Sequence, residues 1–388
     1  MSRARTALFV VCYCVALFLA FDFFYSTFVL VATRDPPFRL QNARYSHDLL
    51  PNFSGRDSWG VSRYTFFTNS LGFRDASVRT VPLKATTYRT LLIGDSFTEG
   101  VGVPFDQSFA GLLAKAGVQQ KDPIEFLDAG VVSYSPVLYY KKIKTLLASG
   151  VTFDEVVVFI DLSDITDEAT SYFCFDDDPK YDQYKVGCEP PDTPPQLRDR
   201  PKKPIRDWLN THLVVTTRSL ALFNSWTDTV RGLHKDYAVH KSYRAEWTFP
   251  SVDLGHRVDP LGVEGGIVRA RNNMQALADM LSARHIPLTV VVYPWPPQLE
   301  LNDRNSRQSA IWRDFCKVNC HQFIDLFPPF FAFKDANPDW YERLFVVGDV
   351  HYSAEGNRLV FDNVKDALLR RRGEQSAGAG EAGVPSRR

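Results

Sequence analysis

No charge of one sign dominates this chain: Lys plus Arg and Asp plus Glu both number 45 in 388 residues. A flat balance leaves no electrostatic footprint for nucleic acid, and no nucleic-acid partner is expected. Internal repeats, a Walker phosphate loop and a dinucleotide fingerprint are missing too, which sets aside solenoids and the common nucleotide-binding frameworks. No serine satisfies Gly-x-Ser-x-Gly, so the nucleophile elbow of the α/β-hydrolases is excluded. What is abundant is apolar. With 45% hydrophobic and 13% aromatic residues, the chain can bury a full α/β core and an elaboration of it.

The most informative stretch is Leu92-Ile93-Gly94-Asp95-Ser96-Phe97-Thr98-Glu99-Gly100. Thr90 to Ile93 reads as a short buried strand, so Ser96 stands at a strand's C-terminal end, where open α/β sheets bind their ligands. Gly, Asp and Ser are also turn residues, and the triplet alone does not separate chemistry from a turn. Far downstream, Gly348 to Asn357 places Asp349 and His351 two positions apart, just before an apolar helix from about Ala354 to Leu369. A serine is a poor nucleophile until a base takes its proton, and that base needs an acceptor to hold its tautomer. Ser96, His351 and Asp349 would supply these three roles. The other reading of Asp349-x-His351 is a polar turn that caps the last helix.

Together these segments resemble the SGNH/GDSL hydrolase family, in which the serine lies in the first block and the aspartate and histidine share the last. Asn69-Ser70-Leu71-Gly72-Phe73-Arg74-Asp75 is similar to the lead-in of membrane-attached bacterial members, including those related to alginate O-acetyltransferases. Asp128 to Ser135 resembles the second block, which implies that the Gly130 N–H helps form the oxyanion hole. The third block usually reads Gly-x-Asn-Asp, but here it is Asp161-Leu162-Ser163-Asp164, so Ser163 stands where an oxyanion-donating asparagine is expected. Loss of one such donor costs roughly a hundred- to a thousand-fold in rate elsewhere. Tyr293-Pro294-Trp295-Pro296 also resembles the group, with Trp295 as a substrate-binding residue. The resemblance spans about residues 66 to 370. It implies a three-layer, flavodoxin-like parallel sheet and an oxyanion set of Ser96, Gly130 and Ser163, with no metal and no cofactor.

Periodicity leads to the same fold class. Strands are expected at about 88–94, 124–128, 155–161, 287–293 and 322–326, alternating with helices near 106–117, 136–149, 267–285 and 354–369. That alternation predicts a parallel sheet with helices on both faces. Asp106 would cap one helix, Pro136 would open the next and Gly150 would close it. Residues 34–85 form a lead-in and 86–370 the hydrolase domain. Between about 166 and 266 the alternation breaks into acidic, Pro-rich and basic pieces followed by an apolar helical stretch from Ile205 to Trp226. This insertion is either a subdomain covering the cleft or a helix packed on the sheet. The end, 371–388, reads as a disordered tail.

Residues 1–33 make a cytoplasmic stub and an anchor. From Ala7 to Ala32 the chain is almost wholly apolar, and at about 1.5 Å per residue it exceeds a bilayer's roughly 30 Å hydrocarbon layer. A signal peptide would have a shorter core and a small-residue cleavage site. Arg3 and Arg5 precede the run, which implies an inside N-terminus and a catalytic domain in the periplasm, single-pass on the inner membrane. Asp22 interrupts the run, marking either a partner contact or an interface position. Outside the anchor stand Cys174, Cys188, Cys316 and Cys320. Pairing 174 with 188 and 316 with 320 is the simplest of three connectivities; the alternatives are free buried thiols and a zinc site, for which the usual His–Cys spacing is absent.

The function these readings imply is hydrolysis of O-acyl, foremost O-acetyl, esters, with an acylated carbohydrate or other cell-envelope ester as substrate. The alternatives are an O-acetyltransferase for an exported polysaccharide, served by a membrane acyl-transfer partner, and a non-catalytic binding or assembly component.

Overall fold

The computed structural model describes residues 3–30, 37–42, 44–60, 62–174, 202–231, 243–249 and 258–370. Cys188, the acidic and Pro-rich part of the expected insertion and the 371–388 tail lie outside them. Two compact units are present: Met1–Pro37 with Glu189–Leu233, and Phe38–Cys188 with His234–Arg388. Helices in chain order are α1 (Arg3–Phe24), α2 (Ser96–Glu99), α3 (Phe109–Val118), α4 (Pro136–Ala148), α5 (Ser163–Thr170), α6 (Lys202–His212), α7 (Val214–Arg231), α8 (Gly262–Ser282), α9 (Pro296–Glu300), α10 (Arg307–Asn319), α11 (Phe327–Ala336), α12 (Trp340–Leu344) and α13 (Ala354–Leu369). Strands are β1 (Arg39–Asn42), β2 (Ser46–Leu49), β3 (Ser54–Trp59), β4 (Ser62–Thr68), β5 (Arg74–Asp75), β6 (Tyr88–Ile93), β7 (Ile124–Asp128), β8 (Glu155–Ile160), β9 (Leu288–Val292) and β10 (Gln322–Asp325).

In the larger unit, β1 and β2 form an antiparallel pair, and the main sheet runs β10-β9-β8-β6-β7-β5-β4-β3. The strands from β10 to β7 are mutually parallel. Counted along the chain and read from β7, they stand in the order 2-1-3-4-5, the flavodoxin-like arrangement whose crevice opens between the first and third strands. All residues of β8 (EVVVFI) and β9 (LTVVV) are buried, as expected of parallel strands covered on both faces. Helices α3 and α13 pack together as one layer, and α4, α5 and α8 as the other. The parallel core is therefore the one the periodicity predicts. Beyond it, the lead-in adds the antiparallel strands β3 to β5, with Arg74 of β5 opposite Asp128 of β7.

Local cues differ in one place. Ser108, rather than Asp106, caps α3: its hydroxyl accepts the Gly111 N–H at 3.1 Å, while Asp106 sits within a 3-10 turn, Phe105–Gln107. Pro136 does open α4, and Gly150, at φ +87°, follows its C-cap.

In the smaller unit, α1 continues as a π-helix from Tyr25 to Leu30, and the 28 residues Arg3–Leu30 are long and apolar enough to cross a membrane. The apolar part of the expected insertion forms two helices, α6 and α7, in this same unit. It therefore groups with the N-terminal helix, a placement neither reading of the insertion anticipated. Asp22 explains the arrangement. Its carboxylate accepts the N–H groups of Val215 (3.1 Å) and Thr216 (2.7 Å), the Thr216 hydroxyl (2.5 Å) and the Ser26 hydroxyl (2.6 Å). Ser26 Oγ accepts the Val214 N–H at 3.0 Å. The buried acid thus serves the free N–H groups at the start of α7.

Candidate active site

The chain reverses sharply after β6, and Gly94 is required there: a Cβ at that position would fall 2.1 Å from Thr98 Oγ1 and 2.7 Å from the Phe159 carbonyl. The Asp95 carboxylate caps α2 by accepting the Phe97 N–H at 2.9 Å, which presents Ser96 as the first residue of that helix. Behind α2 lies the lead-in. Arg74, 1% exposed, donates its guanidinium to the carbonyls of Glu99, Gly100 and Val103, so it holds the helix's C-terminal end where a cation is favoured. Asn69 orders the turn before Arg74, accepting the Leu71 and Phe73 N–H groups and donating to Asp75. Buried Glu99 pairs with Arg39 and accepts the Val132 N–H at 2.8 Å.

Ser96 Oγ lies 2.7 Å from His351 Nε2, and His351 Nδ1 lies 2.6 Å from Asp349 Oδ1. The contact closes across 255 residues. Asp349 Oδ1 also accepts the N–H groups of Val350 and His351, at 2.6 and 3.2 Å. Its Oδ2 accepts the Trp59 indole N–H at 2.8 Å. Burial opposes the charged form of Asp349, but the hydrogen bonds from His351 and Trp59 outweigh it and hold the carboxyl below its ordinary range. The imidazole is walled by Phe97 and Trp59, with ring centroids 4.7 and 4.8 Å away. The last helix has its own cap, since Ser353 Oγ accepts the Glu355 and Gly356 N–H groups. Asp349 is therefore not engaged as a helix cap. A hydroxyl, an imidazole and a carboxylate in this order form a Ser–His–Asp relay able to generate a nucleophilic alkoxide.

The other expected site residues fall around this relay with different partners. Gly130 packs against α2, where a Cβ would lie 2.7 Å from Glu99 N, and its N–H donates to Asp128 Oδ1 at 3.1 Å. Ser163 heads α5, but its hydroxyl and its N–H both donate to Asp161 Oδ1 at 2.7 Å. Trp295, expected to contact substrate, is 6% exposed; its indole donates to Asp161 Oδ2 at 2.8 Å and its ring lies 5.8 Å from Phe97. It braces the floor of the site. Asp161 and Asp164 join Asp95 in a buried acid cluster next to Ser96. Burial, added to by the Asp161 charge, pushes Asp95 and Asp164 well above the carboxylate range. No group of His, Cys, Asp and Glu suited to a metal ion occurs among the described residues. Cys316 and Cys320 are bonded to each other; Cys174 is in a disulfide, and Cys188, its expected partner, lies outside the described residues.

Trp59 and Arg39 went unread in the sequence. Both belong to polar, exposed-looking segments, and the only available signal was a tryptophan beside a glycine in an otherwise polar strand.

The fold and site define a class: a flavodoxin-order α/β unit carrying a Ser–His–Asp relay at the C-terminal end of its first parallel strand. No protein-family model matches the chain, and no curated protein matches it in sequence. Solved structures do. TesA is similar at 10% identity and TM-score 0.39, over 72% of this chain and 97% of that one. A putative lipolytic protein of the G-D-S-L family from Desulfitobacterium hafniense is similar at 12% identity and TM-score 0.37, over 73% and 100%. The acetyl xylan esterase AlAXEase is similar at 16% identity and TM-score 0.38, over 72% and 99%.

Proposed function

We propose that the protein is a serine esterase of the SGNH/GDSL type that removes O-acyl, foremost O-acetyl, groups from a carbohydrate or other cell-envelope ester. Helix α1 anchors it in the inner membrane, and the catalytic unit faces the periplasm. The observation that carries the enzymatic reading is the unbroken relay from Ser96 Oγ through His351 to Asp349. Ser96 Oγ attacks the acyl carbonyl while His351 Nε2 takes its proton, and Asp349 stabilises the imidazolium that results. His351 then returns the proton to the departing sugar oxygen. Water, deprotonated by the same imidazole, releases the acyl group from Ser96.

The tetrahedral oxyanion falls to the N–H of Ser96, which as the first residue of α2 has no intrahelical acceptor, and to the adjoining Gly130 N–H once it turns from Asp128. The Ser163 hydroxyl would join them only by leaving Asp161. A fluorophosphonate probe on the full chain, mapped by mass spectrometry, should modify Ser96. No adduct there, together with undiminished acetyl-ester turnover by Ser96→Ala, would refute the assignment.

A second reading, O-acetyl transfer, is favoured by how little of the relay meets water. Ser96 and His351 are each 7% exposed, and a shielded acyl-enzyme is protected from hydrolysis. A sugar hydroxyl would then replace water in the second step, and a membrane partner would supply the acyl group. Product analysis with an acetyl donor and an oligosaccharide acceptor distinguishes the two: free acetate means hydrolysis, acetylated acceptor means transfer.

A further inference from the structure

Resting on the reading of α1 as a membrane span, we infer that α7 lies in the membrane interface, with its Leu222, Phe223, Trp226 and Val230 face set among the lipids of the leaflet farther from the N-terminus. The depth of its tether comes first. Asp22 and Ser26 hold the first turn of α7 through the N–H groups of Val214, Val215 and Thr216. At about 1.5 Å per residue, Asp22 stands about 26 Å and Ser26 about 32 Å along the helix from Arg5, against a hydrocarbon layer of about 30 Å. The start of α7 is thereby fixed at the far boundary of the bilayer. The neighbouring helix is tied at the same level: the rings of Trp208 and His212 lie 6.2 and 5.7 Å from that of Phe23, and Thr27 Oγ1 lies 3.0 Å from His212 Nδ1.

The pattern of α7 comes second. Val215, Leu222, Phe223, Trp226 and Val230 recur at helical spacing and make one apolar stripe, interrupted only by Ser219. Beyond the tethered turn this stripe is uncovered: Leu222, Phe223, Trp226 and Val230 are 59%, 57%, 61% and 69% exposed. Thr217, Asn224 and Arg231 occupy the opposite side, where Leu220, 55% exposed, is the one large apolar residue, and Arg218 flanks the stripe. An 18-residue helix with two arginines and a polar side is unsuited to crossing hydrocarbon. One apolar face rich in Trp, Phe and Leu against a polar face is the composition of helices that lie in the interfacial plane. Lipid is the occupant because the tether leaves the helix at the height of the acyl-headgroup boundary.

The test uses the full chain with Cys12 and Cys14 replaced by serine and one cysteine introduced for an environment-sensitive label. The sites are Phe223→Cys, Phe21→Cys within the span, and Val318→Cys on α10. Each protein is reconstituted into phosphatidylcholine–phosphatidylglycerol vesicles that carry a nitroxide either near the headgroups or deep in the acyl chains. Phe223 should lose about half or more of its emission to the shallow nitroxide and less to the deep one, as an interfacial helix requires. Phe21 should be quenched, and Val318, 85% exposed, gives the label's emission on an uncovered helix for reference. A quenched Phe21 beside an unquenched Phe223 overturns the inference while leaving the anchor intact. A blue-shifted but unquenched Phe223 also overturns it, by showing that protein covers the face. Deep quenching at Phe223 would make α7 a second span. An unquenched Phe21 refutes the anchor reading itself, and the inference with it.

Discussion

Replacing Asp349 by asparagine tests the relay and its least expected member in one experiment. The carboxylate lies 2.6 Å from His351 Nδ1, so the imidazolium formed during acyl transfer faces a full negative charge. Two unit charges about 4 Å apart at an effective dielectric near 20 attract by about 4 kcal/mol. Neutralising one should therefore slow kcat by about three orders of magnitude, with little change in KM. Three N–H groups converge on Oδ1, so the asparagine oxygen must remain there, and its amide NH2 then points at the Trp59 indole N–H, 2.8 Å from the present Oδ2. Two donors would face each other. In the wild-type background, Trp59→Phe removes a hydrogen bond to a charged group, worth about 1.5–3 kcal/mol, and should lower kcat by about tenfold. In the Asp349→Asn background the same change relieves the donor clash and should restore activity, not reduce it. Acetyl-ester kinetics on the four proteins, with circular dichroism as a check on folding, give the cycle. Independent, multiplicative losses would show that Trp59 does not act through Asp349. An Asp349→Asn enzyme within tenfold of wild type would refute the relay.

Ser163→Ala should alter kcat by less than about tenfold, because the hydroxyl serves Asp161, whereas a hundred- to thousand-fold loss would place it on the oxyanion. Glu168, fully buried, has its pKa pushed from 4.5 to about 7, by burial against the opposing Val137 N–H and Arg269. An acid raised on folding stabilises the fold only while protonated, so its contribution is complete below about pH 4.5 and is lost as pH climbs to about 7. Denaturant titrations should accordingly show the stability difference between wild type and Glu168→Gln moving by about 3 kcal/mol toward the variant across that window, and a constant difference would contradict the assignment. Non-reducing peptide mapping should find Cys316 linked to Cys320 and no free thiol at Cys174, with Cys12 and Cys14 alone alkylatable in detergent; the short 316–320 loop contributes about 2 kcal/mol in the chain-entropy description.

How far the fold was legible in the sequence followed burial symmetry. Strands β8 and β9 are covered on both faces and read as unbroken apolar runs, so their places were plain. β3 (SGRDSW) and β4 (SRYTFFT) carry partly exposed, polar residues in an antiparallel edge, and their pairing with each other and with β5 depends on register that no local pattern announces. α5 was missed for the opposite reason. Its sequence SDITDEAT looks solvated, yet seven of its residues are buried, because Asp164 and Glu168 find Tyr139, Ser135 and Asn273 as partners. Ser96, Asp349 and His351 were readable because a serine acting as nucleophile needs a base and the base an acceptor, and those residue types stand out in the sequence even though 255 residues separate Ser96 from His351. Ser163 and Trp295 were read by position in a block, and position does not reveal that both donate to Asp161.

That difference bears on how the site is built. The parallel strands alone would bring Ser96 to the sheet edge, since β6 and Gly94 determine where α2 begins. They do not complete the relay. Arg74 and Arg39, from the lead-in, fasten α2 through the Glu99 and Gly100 carbonyls and the Glu99 carboxylate, while Trp59 satisfies the outer oxygen of Asp349. Without these contacts Glu99 would be a buried charge lacking its partner, and the Asp349 carboxylate would lose the donor that opposes its rotation. The antiparallel extension therefore grips both ends of the relay: the helix that bears Ser96 and the carboxylate bonded to His351. Ser96, positioned by the core, and His351, oriented through an added edge, can be tuned separately, and Ser163, which stands where the resemblance expects an oxyanion-donating asparagine, is held instead by a buried acid, Asp161.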